Sequence, residues 1–338
     1  MHRRSFLKMS AAAGLSVPGL ATPWLPRPAI AQDREIIIAE PTRSVSYLPI
    51  YVAIAEGYFK KAGLNARMLT AEQNGAAINA TLAGQAFSFL GGPERVAFAR
   101  AQGGHLRSVV NCVDRGNVYF MAAKGAGPKP GEDIGAWLKG KRIAVGFRGT
   151  SPHSVMRYVL MAKFNLDPDK DVQIVEIASP LAALKARQAD IGVGSEPAIA
   201  QGIGQGLWDE PFYNAPKELG PLAYSVLNVA KSVIDKEPQL VTDFVAAAIQ
   251  AQKTVLGEPD RVRAIAAREF PTMNPADLKA TLDRTYADGL WSPDGAISRQ
   301  AWTTMHAVVR TIGALKIDVP YEEVVGNSFV ERLTKSKS

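Results

Sequence analysis

The segment from Lys141 to Ile177 constrains the fold more than any other part of the chain. It contains two short apolar runs, Arg142–Phe147 and Val172–Ile177, which have the length and composition of buried strands. Between them, Thr150 or Ser151 stands at the N-cap position of a helix, and a proline follows in the first helical turn, where its missing N–H is tolerated. The spacing therefore predicts a strand–helix–strand unit with parallel strands.

The predicted helix start at Thr150 and Ser151 is also a candidate binding site. A helix that begins beyond the carboxyl end of a strand leaves backbone N–H groups without partners and carries the positive end of the helix dipole. Both features favour a small anion, and the two hydroxyl groups add further donors. His153, slightly further into the helix, is expected to be a surface or capping residue.

Strands and helices alternate along most of the chain up to residue 230, and the remainder is predicted to be helical. The alternation indicates an α/β fold with a mainly parallel sheet. A chain of 338 residues with 47% hydrophobic content is long enough for two lobes. A weak internal repeat is consistent with two similarly built lobes, because Gln85–Gly92 resembles Gln188–Ser195.

The periodicity predicts elements beyond the unit described above. The further strands are Glu35–Ala39, Ala66–Leu69, Phe87–Leu90, Leu106–Val113, Asn117–Ala123, Asp190–Gly194 and Pro221–Ala230. The further helices are Tyr47–Glu56, Gly75–Ala83, Glu94–Gln102, Pro180–Arg187, Glu196–Gly204, Leu240–Leu256, Arg261–Phe270, Ala276–Ala287 and Ile297–Leu315.

The N-terminus has the organisation of a targeting segment. His2–Lys8 resembles the twin-arginine export motif, and the weakly apolar stretch Met9–Leu20 follows it. Ala29–Ala31 then offers small residues at a cleavage site before Gln32. We therefore predict that residues 1–31 are a twin-arginine (Tat) signal peptide, cleaved near Ala31, and that the mature protein is periplasmic.

The charge and the cysteine content exclude several classes of protein. The net charge is +7, but residues 1–31 supply four of the 39 basic residues and no acid, which leaves 35 basic against 32 acidic residues. This near balance, without a basic stripe, gives no reason to expect nucleic-acid binding. Cys112 is the single cysteine, so no intramolecular disulfide forms, and its apolar surroundings favour a buried, unreactive thiol. No later segment approaches the roughly 18 apolar residues of a membrane span.

No motif for catalysis or cofactor binding stands out. The four histidines show no metal-ligand spacing, and neither a G-x-S-x-G sequence nor a P-loop is present. The glycines of Gly202–Gly206 look superficially like a dinucleotide loop, but they follow a predicted helix and not a strand. We expect no enzymatic activity, no metal and no cofactor.

Four segments in a fixed order carry a resemblance to a known family. They are Ile54–Leu64, Ala80–Gly92, Leu166–Val172 and Ala182–Pro197. With them, the chain resembles the periplasmic substrate-binding proteins of ABC importers of the nitrate/sulfonate/taurine type, which share a domain with thiamine-pyrimidine-synthase-like proteins. The resemblance extends from about Glu35 to the C-terminal helices.

The resemblance implies a type II periplasmic binding protein fold, in which two α/β lobes enclose a ligand cleft and are joined by two crossing strands. Residues 32–115 and 226–338 would form the first lobe, and residues 116–225 the second. It also implies capture of a small organic, anionic ligand by lobe closure, and delivery to an ABC permease with its ATPase. We expect a monomer.

The candidate ligand-binding residues are those that the fold would bring to the cleft. They are Ser46, Tyr47, Gly91, Gly92, Glu94, Asn117, Thr150, Ser151, Ser195 and Glu196. The two glycines are expected to let the backbone approach a ligand closely. Loop arginines at three further positions, Arg43, Arg115 and Arg148, are candidate partners of a sulfonate or carboxylate.

Glu94 leaves an alternative open. A carboxylate that points into the cleft favours an amine or N–H donor on the ligand, as in a thiamine-type pyrimidine placed against Tyr47. A further alternative is a binding protein that signals to a membrane receptor instead of feeding a permease. Another is an enzyme of the pyrimidine-synthase type on the same fold. The predicted export signal argues against this enzyme, because cofactor-consuming biosynthesis is normally cytoplasmic.

Overall fold

The structure, a computed structural model, describes residues 33–71 and 75–335. The predicted signal peptide at residues 1–31 therefore lies outside the described part of the chain. The strands are β1 (Arg34–Glu40), β2 (Leu64–Thr70), β3 (Ser88–Gly91), β4 (Leu106–Arg115), β5 (Tyr119–Ala122), β6 (Arg142–Val145), β7 (Gln173–Glu176), β8 (Ile191–Gly194), β9 (Tyr213–Asn214) and β10 (Pro221–Ala230).

A short 3-10 helix at Val45–Tyr47 precedes the first α-helix. The α-helices are α1 (Leu48–Ala55), α2 (Tyr58–Lys61), α3 (Ala76–Leu82), α4 (Glu94–Ala101), α5 (Ile134–Leu138), α6 (Ser151–Ala162), α7 (Pro180–Lys185), α8 (Ala198–Gly204), α9 (Ala215–Glu218), α10 (Lys231–Lys236), α11 (Pro238–Gly257), α12 (Pro259–Glu269), α13 (Pro275–Ala287), α14 (Arg299–Thr311), α15 (Tyr321–Val324) and α16 (Ser328–Lys335).

The strands form two five-stranded sheets with the same arrangement. The first has the order β2-β1-β3-β10-β4 and the second the order β7-β6-β8-β5-β9. In each sheet the first three strands are parallel, whereas the fourth is antiparallel to both of its neighbours. Four of the five strands in each sheet therefore run in the same direction, which confirms the prediction of a mainly parallel sheet. The exceptions, β10 and β5, belong to the segments that connect the sheets.

The two sheets are the cores of two α/β lobes. β4 leaves the first sheet and reaches β5 of the second after three residues, Gly116–Val118. β10 returns and pairs along its length with β4, with Ser225 opposite Val113. This is the predicted type II periplasmic binding protein fold, in which two crossing strands join the lobes.

Two helices from the C-terminal part of the chain contact both lobes. α14 packs against β10 of the first sheet and against α6 of the second lobe. α13 packs against α8, and Arg284 on α13 pairs with Glu196, the residue that precedes the cis proline at the start of α8. Asp288, at the end of α13, accepts a hydrogen bond from the Tyr119 hydroxyl at 2.8 Å.

The glycines of the segment 202–206 have a packing role. Gly202 lies inside α8, and a Cβ atom at this position would overlap the ring of Trp208. The indole of Trp208 is buried and donates to the carbonyl of Ile199 at 2.9 Å. The close approach of the ring to the helix explains the glycine without any dinucleotide.

Cys112 is fully buried on β4, where burial raises the pKa of its thiol. This agrees with the expectation of an unreactive cysteine, since the thiolate is the nucleophilic form. Within residues 33–71 and 75–335, no helix has the length and hydropathy needed to cross a membrane.

Candidate functional site

A cavity of about 370 Å³ lies between α4, α6 and α14. α4 begins beyond the carboxyl end of β3 in the first lobe, and α6 begins beyond the carboxyl end of β6 in the second. Ligands of open α/β sheets bind at such strand ends. The polar lining includes Glu94, Arg95, Arg148, Ser151, His153 and Ser154, and the apolar lining includes Ile78, Phe98, Met305, Val308 and Val309.

The turn at Gly91 and Gly92 makes room for two charged side chains. A Cβ atom on Gly92 would overlap the carboxyl group of Glu94, and one on Gly91 would lie 2.7 Å from Cδ of Arg95. Both side chains therefore fold back over the turn at the start of α4. The glycines were expected to let a ligand approach the backbone, but here side chains of the protein fill that space.

The Glu94 carboxyl group is buried and incompletely satisfied. The residue is 5% exposed, and its Oε2 atom has no hydrogen-bond partner among the described residues. Burial raises the pKa of Glu94 to about 7, although Arg95 opposes the shift. Near neutral pH the group is consequently present both as a carboxylate, which accepts hydrogen bonds, and as an acid, which donates one.

Arg95 provides positive charge at the same end of the cavity. Its side chain is half-buried, and its guanidinium group makes no hydrogen bond or ion pair with any residue of the described ranges. The planar fork of a guanidinium group is suited to bidentate binding of a carboxylate or sulfonate. Its position next to Glu94 gave no separate signal in the sequence, so the sequence analysis missed it.

Ser151 faces Arg95 across the cavity as the first residue of α6. The predicted strand–helix–strand unit is confirmed, with Thr150 at the N-cap position. The Thr150 hydroxyl donates to the Phe147 carbonyl at 2.8 Å and so stabilises the preceding turn. Of the two predicted anchors, Ser151 is the one that lines the cavity.

Four further candidate residues are brought together by the fold but bond to one another. The side-chain amide of Asn117 donates to the Ser46 hydroxyl at 2.7 Å, and the backbone carbonyl of Asn117 accepts from the Ser195 hydroxyl. The backbone N–H of Glu196 reaches the side-chain oxygen of Asn117 at 3.4 Å. This network joins the two lobes where the chain crosses between them.

Glu196 has a structural partner. Its carboxylate accepts from Arg284 at 2.8 Å and from Thr281 at 3.3 Å, and the residue is 4% exposed. Burial raises the pKa of Glu196, while its bonds to the Ala200 N–H and to Arg284 oppose the shift. The buried ion pair occupies this carboxylate, so Glu94 is the candidate acid with an unoccupied oxygen.

Two tyrosines lie near Glu94 and Arg95. Tyr47 is buried, and burial raises its pKa to about 12, which the positive charge of Arg95 opposes. Tyr224 is half-buried on β10, close to Tyr47, and burial raises the pKa of its hydroxyl group. Tyr224 lies on the predicted strand Pro221–Ala230 but was not among the candidate ligand-binding residues; the alternation of side chains along that strand was the available signal.

The three loop arginines and His153 differ in whether they line the cavity. Arg43 pairs with Glu269, and Arg115 pairs with Asp114. Arg148 lines the cavity and also lies 3.8 Å from the carboxylate of Glu176. His153 was expected at the surface, but it is 2% exposed because the inner face of α6 packs against its neighbours. Burial lowers the pKa of His153, which favours the neutral imidazole.

The sequence was compared with known families and curated proteins. A family model described as NMT1/THI5 like matches residues 44–262. A putative binding protein from Bacillus subtilis, YtlA, is 24% identical over 90% of this chain and 91% of its own length. The riboflavin-binding protein RibY from Chloroflexus aurantiacus is 25% identical over 93% of each chain.

Solved structures of similar fold include both binding proteins and an enzyme. The alkanesulfonate-binding protein SsuA from Xanthomonas axonopodis pv. citri, bound to MOPS, has a TM-score of 0.67 and 20% identity, covering 87% of this chain and 98% of its own. The desulfurization enzyme DszB has a TM-score of 0.67 and 15% identity, covering 90% of this chain and 100% of its own. These likenesses concern the fold. The family match spans well over half of the sequence, and the chain therefore belongs to the NMT1/THI5-like family.

Proposed function

We propose that the protein is the periplasmic solute-binding component of an ABC importer, which captures a small organic, anionic ligand by closure of its two lobes. The observation that carries this proposal is the unpaired guanidinium of Arg95 opposite Ser151 at the start of α6. Together they offer positive charge, a hydroxyl group and free helix N–H groups to one anion. The similarity in fold to a sulfonate-binding protein supports the same ligand chemistry.

A heteroaromatic ligand is the second candidate. Tyr47 and Tyr224 lie near the polar end of the cavity, and Glu94 offers an acceptor for a ring N–H group. The riboflavin-binding relative supports this reading, since riboflavin is itself a heteroaromatic compound. Thiamine-type pyrimidines belong to the same class of ligand.

We propose a binding protein and not an enzyme. Because the similar fold of DszB serves an enzyme, the fold alone does not decide the question. In this chain, the one cysteine is buried away from the cavity, and no described group of three or more His, Cys, Asp or Glu residues is arranged to hold a metal ion. A binding protein needs neither a nucleophile nor a metal.

The location and the partners follow from this proposal. Residues 1–31 would direct twin-arginine export and be removed near Ala31, and the mature monomer would deliver its ligand to a permease with its ATPase. The lobes would comprise residues 32–115 with 226–338, and residues 116–225. N-terminal sequencing of protein from a periplasmic extract tests the export step, because a mature N-terminus far from Gln32 would contradict it.

The proposed function is tested by thermal shift with a panel of nitrate, methanesulfonate, benzenesulfonate, benzoate, thiamine and riboflavin. We expect at least one organic anion to raise the melting temperature of the protein. Ser151→Ala should weaken binding of that anion, whereas Ser232→Ala, at an exposed position of α10, should not. Equal affinity of the Ser151→Ala variant would contradict the anchor, and no stabilisation by any member of the panel would contradict the function.

A further inference from the structure

The wall of the cavity opposite its polar end is made by α14. Met305, Val308 and Val309 are all buried on this helix and line the cavity. α14 lies beyond residues 44–262, which the family model matches. The part of the cavity that contacts the body of a ligand is therefore built from a segment outside the matched region.

The volume of the cavity indicates the size of its ligand. At about 370 Å³ it falls within the range of roughly 300–1,000 Å³ typical of sites for organic molecules. An ion of the size of nitrate would leave the apolar wall of α14 uncovered. An aromatic or branched aliphatic body would instead make van der Waals contacts with the side chains of this wall.

The polar end of the cavity contains an acceptor without a donor. A buried oxygen without a hydrogen-bond partner, such as Oε2 of Glu94, carries a cost in free energy. This cost is removed when a ligand donates a hydrogen bond to the oxygen. Arg95 cannot supply it in the observed arrangement, since its guanidinium group bonds to no described residue. Gly92 leaves room for the carboxyl group at this position, because any larger residue there would overlap it.

We propose that Glu94 determines ligand specificity: the site takes an organic anion that has an apolar body on α14 and, near its anionic group, an N–H or O–H donor for Oε2 of Glu94. This inference rests on the proposed function, which assigns the anionic group to Arg95 and Ser151. It adds a requirement that a plain sulfonate or carboxylate does not meet. A ligand without the donor would enter the same cavity but leave the carboxyl oxygen unpaired.

The requirement is tested with pairs of compounds that differ in a single group. The 2-, 3- and 4-aminobenzenesulfonates carry an N–H donor at three distances from the anion, and each has a methylbenzenesulfonate of nearly the same size without the donor. Dissociation constants are measured by titration calorimetry on protein produced from the full chain. We expect at least one amino compound to bind about tenfold or more tightly than its methyl counterpart, and benzenesulfonate to bind about tenfold or more tightly than methanesulfonate.

Three variants assign the discrimination to Glu94. Glu94→Met removes the acceptor, and Gly92→Ala displaces it; both should reduce the preference for the amino compound to less than about threefold. Glu94→Gln keeps the size of the side chain and serves as the folded comparison if the Met variant is unstable. Gly257→Ala, where an added Cβ meets nothing within 4 Å, should keep the full preference.

The outcomes separate this inference from the proposed function. Equal binding of the amino and methyl compounds, or an unchanged preference in all three variants, would overturn the role of Glu94. If methanesulfonate or benzoate stabilises the protein while no aminobenzenesulfonate does, the inference is wrong and the importer role stands. If no compound of either set stabilises it, both are wrong.

Discussion

At the scale of single residues, the buried carboxyl group of Glu94 makes the stability of the protein depend on pH. Its pKa is about 7 in the folded protein, against an ordinary value of 4.5. Between these pH values the folded protein keeps a proton that the unfolded chain has lost. The free energy of unfolding therefore falls as pH rises through this window, by roughly 3 kcal/mol from this group.

Glu94→Gln should remove this contribution, because glutamine does not titrate. The difference in unfolding free energy, variant minus wild-type protein, should therefore rise by about 3 kcal/mol as the pH is raised from 4.5 to 8. The measurement is urea unfolding at several pH values. Taking the difference between the two proteins cancels the other titrating groups, such as Glu40 and Asp114, whose pKa values are also raised by burial.

Glu132→Gln is the matched control, because Glu132 is exposed and its carboxylate only accepts from the backbone of Lys129. This variant should follow the pH profile of the wild-type protein. A Glu94→Gln profile parallel to that of the wild-type protein would show that Glu94 is ionised normally, and would contradict the account of its burial.

The sequence predicted only some of the residues that line the cleft. Ser151 was identified because an N-cap and a proline mark a helix start locally. Arg95 was missed because the direction of its side chain depends on the space next to Gly91, and this space exists only in the folded turn. The expectation for His153 was wrong for a related reason, since the inner face of α6 is defined by what packs on it.

At the scale of secondary-structure elements, the packing of Trp208 on α8 is open to a direct test. Gly202→Ala would push the added methyl group into the indole ring. We expect the free energy of unfolding to fall by about 1–3 kcal/mol, as for other overpacked cores. Tryptophan fluorescence during urea unfolding measures both the stability and the environment of the ring.

Gly204→Ala on the same helix is the control, because its added Cβ would meet only the end of the Asp277 side chain, which can move. Alanine also has the higher helix propensity, so this variant should be neutral or slightly stabilising. A Gly202→Ala variant of wild-type stability would contradict the packing role of this glycine.

The link between α13 and α8 gives a second prediction for an element. Arg284→Met would leave the Glu196 carboxylate buried without its counter-charge. Removing one partner of a buried ion pair typically lowers the free energy of unfolding by about 3–5 kcal/mol. Urea unfolding at pH 7 measures the change, and Glu196→Gln combined with Arg284→Met should recover part of it.

Lys279→Met provides the comparison on the same helix, since Lys279 forms an exposed pair with Asp283. Exposed pairs contribute about 1 kcal/mol or less. If Arg284→Met changes the stability no more than Lys279→Met does, the buried pair does not tie α13 to the second lobe.

Elements with strong local signals were predicted almost to the residue. The unit of β6, α6 and β7 has apolar runs, a cap and a proline, and the structure confirms it within two residues at most boundaries. The two-residue strand β9 and the one-turn helix α9 were missed. Elements this short show no periodicity. β9 forms because β5 supplies a partner for pairing, and the Asn214 side chain caps the start of α9.

At the scale of the whole molecule, the arrangement of two lobes was predicted, whereas the helices that connect them were not. The resemblance of four segments was enough for the fold, because their order reflects the order of the strands. The contacts of α13 and α14 with the second lobe join residues far apart in sequence. The periodicity of apolar residues shows which face of a helix is buried, but it does not show which lobe packs against that face.

The central claim is that the protein binds a small organic anion and does not transform it. The most direct measurement incubates the protein with the organic anion that stabilises it most, separates the complex, and identifies the released compound by mass spectrometry after denaturation. The account predicts one unchanged molecule per chain. A chemically altered product that accumulates with time would show an enzyme, and the absence of bound compound would show that this cleft is not a binding site for such anions.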